Sequence, residues 1–366
     1  MNTRLSNFKK ILISKSLDAA LISSLSDIIY LTDFSHFTNV EREGFLLITQ
    51  NHNYIITDGR YSHAVKSYLK DFTLLETSPA NPFEKLLKEI IGKEKINTLG
   101  IDEDNITVSE HKKITSQGLL LKHIDLSKLR IIKDSKEISM IKKACQIGDK
   151  TYSGILKNLR IGITERQVAF EIELFIKKRG ADISFPPIVA FEENSAIPHH
   201  KTSDKRLKTN DLILMDFGVK YKNYCSDMTR TVCFGKANDE KRKVYETVIA
   251  AQQRAIETLN SKLLTLNSVF KPIPTSLIDQ AARSYITSKC FDTIPHSLGH
   301  GIGLEVHETP RLSPKSLDQL ENGMVFSIEP GIYFPDKFGI RIEDLFTIQN
   351  NKLIQLTTSP TRLLEI

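Results

Sequence analysis

Two segments in the second half of the chain place acidic residues inside strand-like apolar runs, an arrangement that few folds tolerate. In LILMDFGVKYKNYCSDMTRTVCF, residues 212–234, two β-rich runs flank Tyr221-Lys222-Asn223 and read as an antiparallel hairpin. With Tyr221-Lys222 as the two-residue loop, Asp216 and Asp227 fall directly opposite each other, with Cβ atoms about 4.5–5.5 Å apart. Like charges so placed repel unless a cation sits between them. Exposed aspartates would be ordinary, but these have apolar flanks. The second segment, VFSIEPGIYFPDKFGIRIEDLFTI, residues 325–348, again reads as strand, turn (Pro335–Gly339) and strand. Glu329 sits among Phe326, Ile328 and Ile332, and Glu343 among Ile340, Ile342 and Leu345. Carboxylates in such surroundings are costly unless paired or metal-bound. Arg341 is a fair partner for one of the two, and a poor one for both.

Between the hairpins lies IPHSLGHGIGLEVHETP, residues 294–310. Gly299, Gly301 and Gly303 alternate through it, which argues against a helix and for closely packed backbone. His296, His300 and His307 fall in this window, three of the ten histidines in the chain. A lone histidine is more often structural than a ligand. Three in a glycine-punctuated run between two acidic hairpins point to chemistry. Upstream, AIPHHKTSD adds His199 and His200. A site built from Asp216, Asp227, Glu329, Glu343 and one imidazole carries four negative charges, which two divalent ions neutralise. Oxygen-rich ligation with one histidine suits Mn²⁺, Co²⁺ or Zn²⁺. Paired ions about 3.5–4 Å apart acidify a bridging water. The pattern therefore predicts metal-assisted hydrolysis.

Composition narrows the remaining classes. At about 150 residues per domain, 366 residues suggest two domains or three small ones. The net charge of +6 is too dilute over this length to favour nucleic acid or an anionic membrane as main partner. Cys145, Cys225, Cys233 and Cys290 contain no CxxC pair, which excludes a zinc ribbon and argues against a disulfide scaffold. The longest uncharged stretch, Gly44–Thr57, falls short of the roughly twenty apolar residues of a membrane span. The N-terminal stretch is broken by charges before any apolar run reaches signal-peptide length, so a cytoplasmic protein is expected. Residues 4–16 show helical spacing, followed by the apolar patch Ala19–Ser23. Gly44–Thr49 and Asn53–Thr57 read as a hairpin across Gln-Asn-His, Lys85–Ile91 as helix and Leu99–Ile101 as a short strand. This is an α/β pattern without a phosphate loop or nucleophile elbow. Asp134-Ser135, with Glu137 in the first turn, marks a helix start. Thr164 with Gln167 fits a capping box, opening a helix that should run to about Arg179 and stop at Gly180. From Ser184 onward strand-like segments are expected to dominate.

The motifs DFGVKYKNYCSDMTRT, HSLGHGIGLEVHE, SIEPGIYF and GIRIEDLFTI, with their spacing, resemble the pita-bread metallopeptidases, in particular the proline-specific branch of prolidase and aminopeptidase P. SDIIYLTDF and ITDGRY resemble the creatinase-type N-terminal domain. The resemblance implies an α+β chain, with a smaller α/β creatinase-like domain over 1–127 and a pita-bread catalytic domain over 128–366. It implies that Asp216 binds one metal, that His300 and Glu329 bind the other, and that Asp227 and Glu343 bridge the two. By the same resemblance His199 contacts substrate near the scissile bond, His307 stabilises the tetrahedral intermediate, and His296 lines the pocket near proline. Arg341 orients substrate or supports a ligand, and Glu329 also serves the nucleophilic water. Two divalent ions are implied, manganese first with cobalt or zinc as alternatives. The implied reaction is hydrolysis of the bond between an N-terminal residue and proline, of dipeptidase or aminopeptidase P type, in a homodimer. In such a dimer, residues near Phe34–Phe37 or Arg60-Tyr61 would cap the partner's pocket. The alternatives are a creatinase-like, metal-independent amidine hydrolase and a non-catalytic peptide-binding pseudoenzyme. Both branches lose ligands that this chain keeps. One departure stands out: Phe191-Glu192 replaces the small residues the family carries ahead of Asn-Ser-Ala, so an altered loop path and pocket entrance are expected.

Overall fold

The computed structural model describes residues 3–38, 40–264 and 271–366, and the chain divides into two compact units between Arg130 and Ile131. In the first unit the helix Thr3–Ser14 buries Leu5, Phe8 and Leu12, the three- and four-residue spacing of one helical face. The fully buried strand Ala19–Ile22 follows. It lies inside a six-stranded mixed sheet whose order is Thr73–Thr77, Asn53–Asp58, Gly44–Thr49, Ala19–Ile22, Thr98–Ile101, Leu120–His123. The Gly44–Thr49 and Asn53–Asp58 strands form the expected hairpin, with Ile48 opposite Asn53. The expected helix at Lys85–Ile91 lies within Phe83–Glu94, which packs Leu86, Leu87 and Ile90 inward.

In the second unit the helix Ser135–Ile155 is capped by Asp134, whose side chain accepts from the N–H groups of Lys136 and Glu137 while Glu137 reaches back. Thr164 and Gln167 close the same reciprocal box on Glu165–Lys177. This second helix ends two residues short of the expected Arg179, and Gly180 takes the left-handed conformation just beyond it. The expectation that strands dominate after Ser184 is wrong for two long stretches, the helices Asp239–Leu264 and Thr275–Ser288. Val244, Val248, Ala251, Ala255, Leu259 and Leu263 form the buried stripe of the first of these. Its many charges mask that spacing in the sequence.

The glycine-rich run supplies the short strand Gly299–Gly301, in a five-stranded sheet ordered Glu308–Leu312, Gly299–Gly301, Val325–Ile328, Asp344–Gln349, Lys352–Gln355. A Cβ on Gly299 would overlap the Ser327 carbonyl, and one on Gly301 the Thr309 carbonyl, so the close backbone approach requires glycine.

Both acidic hairpins form, but the register of the first differs from expectation. Its loop is Lys222-Asn223, with Tyr221 opposite Tyr224, and both loop residues have positive φ (47° and 72°). That is the mirror-image turn whose twist matches the flanking strands. Asp216 therefore faces Thr229, not Asp227. The shift is two residues, an even number, so both aspartates stay on one face as diagonal neighbours. In the second hairpin Val325 to Ile328 pair with Thr347 to Asp344, and Gly331 to Phe334 with Arg341 to Phe338. The same register carried between them sets Glu329 opposite Glu343. Its turn is Pro335–Lys337, tighter than expected, because Asp336 accepts a left-handed φ of 61° and Phe338 already pairs with Phe334.

A fully buried guanidinium joins the two hairpins. Arg230 Nη2 lies 2.5 Å from Asp344 Oδ1, Nη1 donates to the Glu343 carbonyl, and Nε and Nη2 donate to the carbonyls of Pro360 and Ser359. Gln252 and Thr357 also donate to Asp344. Replacing Arg230 with Met strands the Asp344 charge, and urea unfolding is expected to show a loss of about 3–5 kcal/mol, as for other broken buried pairs.

Candidate metal centre

The glycine-rich strand and the two hairpins bring one imidazole and four carboxylates together. His300 Nδ1 donates to the Gly301 carbonyl at 3.1 Å, which leaves the lone pair on Nε2. That nitrogen lies 3.7 Å from Asp227 Oδ2, 3.5 Å from Glu329 Oε1 and 3.9 Å from Glu343 Oε1. These spacings are too long for hydrogen bonds. Asp227, His300 and Glu343 each offer a ligand atom within 4.8 Å of the others, so this group could hold a metal ion. The residues fit such an ion on a further count. Asp216 Oδ1, Asp227 Oδ1 and Glu343 Oε1 are buried and lack a hydrogen-bond partner, and buried carboxylate oxygens rarely go unmatched.

The other oxygens are held in place. Thr229 Oγ1 donates to Glu343 Oε2 at 2.8 Å, and Ser327 Oγ to Glu329 Oε1 at 3.4 Å. Arg341 Nη2 meets Asp216 Oδ2 at 2.5 Å while its Nε donates to Thr229 Oγ1 at 3.1 Å. Arg341 Nη1 donates to the Tyr333 hydroxyl at 3.0 Å. His296 Nδ1 donates to the Ser297 carbonyl at 2.8 Å, so its Nε2 accepts from the Tyr333 hydroxyl at 2.9 Å. Both nitrogens of His296 are thereby engaged, and only its ring faces remain. His307 stands edge-on to His300 with ring centroids 4.5 Å apart. His199 is exposed, and the charge on it would bear on both His296 and His307. Tyr333, Thr229 and Ser327 were not singled out from sequence. Their signal was spacing alone, Thr229 two residues beyond Asp227 and Ser327 two before Glu329.

The structure places the side chains of the Phe191-Glu192 departure in the core and against a cation. Phe191 is a core side chain paired opposite Ile213, and Glu192 turns to Lys241 at 2.6 Å and to the Leu212 N–H at 2.8 Å. Neither touches the carboxylate cluster. Burial first, and then the neighbouring carboxylates, push the Asp227, Glu329 and Glu343 carboxyls above their ordinary range. Burial and the nearby His307 lower His300 to about 4, which keeps it neutral.

The family model described as "Metallopeptidase family M24" matches residues 139–350. This chain belongs to that family. The "Creatinase/Prolidase N-terminal domain" matches residues 4–132. A Xaa-Pro dipeptidase of Pyrococcus horikoshii is 34% identical over 371 aligned residues, covering 100% of this chain and 99% of that protein. The solved structure of a Xaa-Pro dipeptidase from Bacillus anthracis superposes with a TM-score of 0.90 at 31% identity, covering 100% of this chain and 99% of that one. An X-Pro aminopeptidase from Thermotoga maritima gives 0.85 at 34%, covering 96% and 98%. The fold is thus the expected α+β one, a smaller α/β domain followed by the pita-bread domain of the M24 peptidases. M24 membership implies a divalent metal, and no helix among the described residues is long and apolar enough to cross a membrane.

The shifted groups set a pH dependence for chelated protein. Glu343 moves from 4.5 to about 8, so the folded state keeps a proton that the unfolded chain releases. Its stabilisation is complete below 4.5 and lost as pH rises through 8. His300, lowered from 6.5 to about 4, acts oppositely and only between those values. Thermal unfolding with chelator is therefore expected to show a falling midpoint from pH 6.5 to 8, with a shallower fall in Glu343→Gln.

Proposed function

We propose that this M24 peptidase is a metal-dependent Xaa-Pro exopeptidase, cleaving the bond between an N-terminal residue and proline. The observation that carries the reading is the convergence of Asp216, Asp227, Glu329, Glu343 and His300 with three buried carboxylate oxygens lacking partners. The reading assigns residues 1–127 to a creatinase-like N-terminal domain and 128–366 to the catalytic domain. Asp216, Asp227, His300, Glu329 and Glu343 would hold two divalent ions, with Asp227 and Glu343 serving both. Bound there, the ions supply a Lewis acid and an acidified water. Hard oxygen donors with one imidazole support Mn²⁺ ahead of Co²⁺ or Zn²⁺.

The side chains divide the remaining work. Glu329 takes up the proton of the attacking water. His307, kept neutral by burial, donates a hydrogen bond where negative charge develops on the carbonyl oxygen. His199 contacts the substrate beside the scissile bond. The X-Pro amide has no N–H to recognise, so the pocket reads the ring. His296, with both nitrogens occupied, offers that ring an apolar face. Arg341, fixed by Asp216, Thr229 and Tyr333, orients the substrate and neutralises part of the acidic cluster.

The sequence resemblance supports a homodimer, and the buried free thiols of Cys145, Cys225 and Cys233 support a reducing, cytoplasmic compartment. A metal-independent amidine hydrolase or a pseudoenzyme gains nothing from a complete ligand set.

Hydrolysis of Ala-Pro and Ala-Pro-Ala by chelated and Mn²⁺-reloaded protein tests the reading. Metal-restored cleavage of the dipeptide alone is the dipeptidase result. Release of Ala from the tripeptide as well is the aminopeptidase P result. No metal-dependent cleavage of either removes the assignment. Asp227→Ala and Glu343→Ala are expected to lose at least about a hundredfold in rate, as ligand loss takes the acidified water with it, and near-normal turnover in either would sink the two-ion site.

A further inference from the structure

Two adjacent histidines precede the first hairpin, and the proposed chemistry uses only His199. His200 turns into the protein, where its Nε2 lies 2.9 Å from Oε2 of a fully buried Glu165. The same oxygen accepts from the Ser203 N–H at 2.9 Å and the Ser203 hydroxyl at 2.6 Å. Oε1 accepts from the Phe191 N–H and from Asn194 Nδ2, both at 2.8 Å. Five donors thus converge on one carboxylate, and they come from both sides of His199 in the chain.

Burial, the largest influence on Glu165, would raise its carboxyl. The hydrogen bonds from Ser203, Phe191, Asn194 and His200 together hold it below the ordinary range, so it stays charged. The backbone adds to the anchorage, with Glu165 N–H donating to the Lys205 carbonyl at 3.1 Å and Arg166 N–H to the Ser203 carbonyl at 3.0 Å. On the opposite side the Pro198 carbonyl accepts from Arg341 Nη1 at 3.3 Å. The peptide leading into His199 is therefore gripped from behind by Glu165 and from the metal side by Arg341. His199 itself projects, exposed, from a segment with little freedom to move.

We propose that Glu165 and His200 form a positioning pair, a buried carboxylate and imidazole that fix the loop presenting His199 to the substrate. The proposal rests on the reading of His199 as a substrate contact. Neither residue of the pair reaches the reacting atoms. Their contribution is the entropy and geometry of a side chain held where it is needed.

The test uses the full chain loaded with Mn²⁺ and Ala-Pro as substrate, in His200→Ala, His200→Gln, Glu165→Gln, His199→Ala and the double variant His199→Ala/His200→Ala. His200→Ala is expected to lower kcat about tenfold, a loss typical of removed supporting contacts, with bound metal per chain unchanged. His200→Gln, which keeps a donor for Glu165, recovers part of the rate. In the His199→Ala background, His200→Ala has no further effect, because residues acting through one contact are not additive. Should Glu165→Gln fail to fold, the His200 variants carry the test alone. Full activity in His200→Ala beside an impaired His199→Ala overturns the pair and leaves the reading of His199 standing. So does a His200→Ala loss that persists in full without His199. Undiminished activity in His199→Ala overturns both.

Discussion

Mutual repulsion among buried carboxylates is the constraint on which the second unit depends. Asp227, Glu329 and Glu343 stand around one imidazole, with Asp216 close enough to act on all three, and burial together with the neighbouring carboxylates pushes those three toward protonation. A fold that places them there must answer their charge or lose stability. Arg341 answers for Asp216, Thr229 satisfies one oxygen of Glu343, and one oxygen each of Asp216, Asp227 and Glu343 is left without a hydrogen-bond partner. Arg230 pairs with the next acid, Asp344, whose carboxylate Gln252 and Thr357 also satisfy. Cations placed among these carboxylates would relieve that repulsion, which ties binding to structural integrity.

The supporting parts serve the same end. Gly299 and Gly301 have no side chains to keep neighbouring backbone away, so His300 between them is brought against the Val325–Ile328 strand that leads into Glu329. The bond from Nδ1 to Gly301 orients the ring through its own chain neighbour. Fixing a ligand by local backbone leaves little to relax when an ion arrives, and pre-organisation of this kind favours tight binding.

Much of this was legible before any coordinates. Acids amid β-branched residues, capping residues at Asp134 and Thr164, and the alternating glycines each carry a local physical signal, and each element formed. Register was harder to read. Lys222 is no turn signal, and only the left-handed conformation of both Lys222 and Asn223 fixes where the strands meet. The even size of the error spared the site, since a one-residue slip would have sent Asp227 to the other face. The helix Asp239–Leu264 was hidden by its charges. The residues that receive Phe191 and Glu192, namely Ile213 and Lys241, are distant in sequence and nothing local announces them. Tyr333 was visible within SIEPGIYF, yet its link between His296 and Arg341 depends on three separate parts of the chain.

The second hairpin keeps one register from Val325 and Thr347 at the base to Phe334 and Phe338 near the tip, although its pairing falls into two ladders and the N–H groups of Glu329 and Glu343 donate to the Leu298 and Thr229 carbonyls instead of across the hairpin. Tyr333 and Arg341 are rungs of the outer ladder and Glu329 and Glu343 lie in the gap between the two, so their mutual placement is set by counting. A lineage carrying this site can lengthen or shorten either arm only in matched pairs of residues, and a lone insertion would turn the acids outward. The exposed tip at Pro335–Lys337 lies past every rung and escapes the rule. An insertion at that tip would lengthen the chain without moving Glu329 or Glu343.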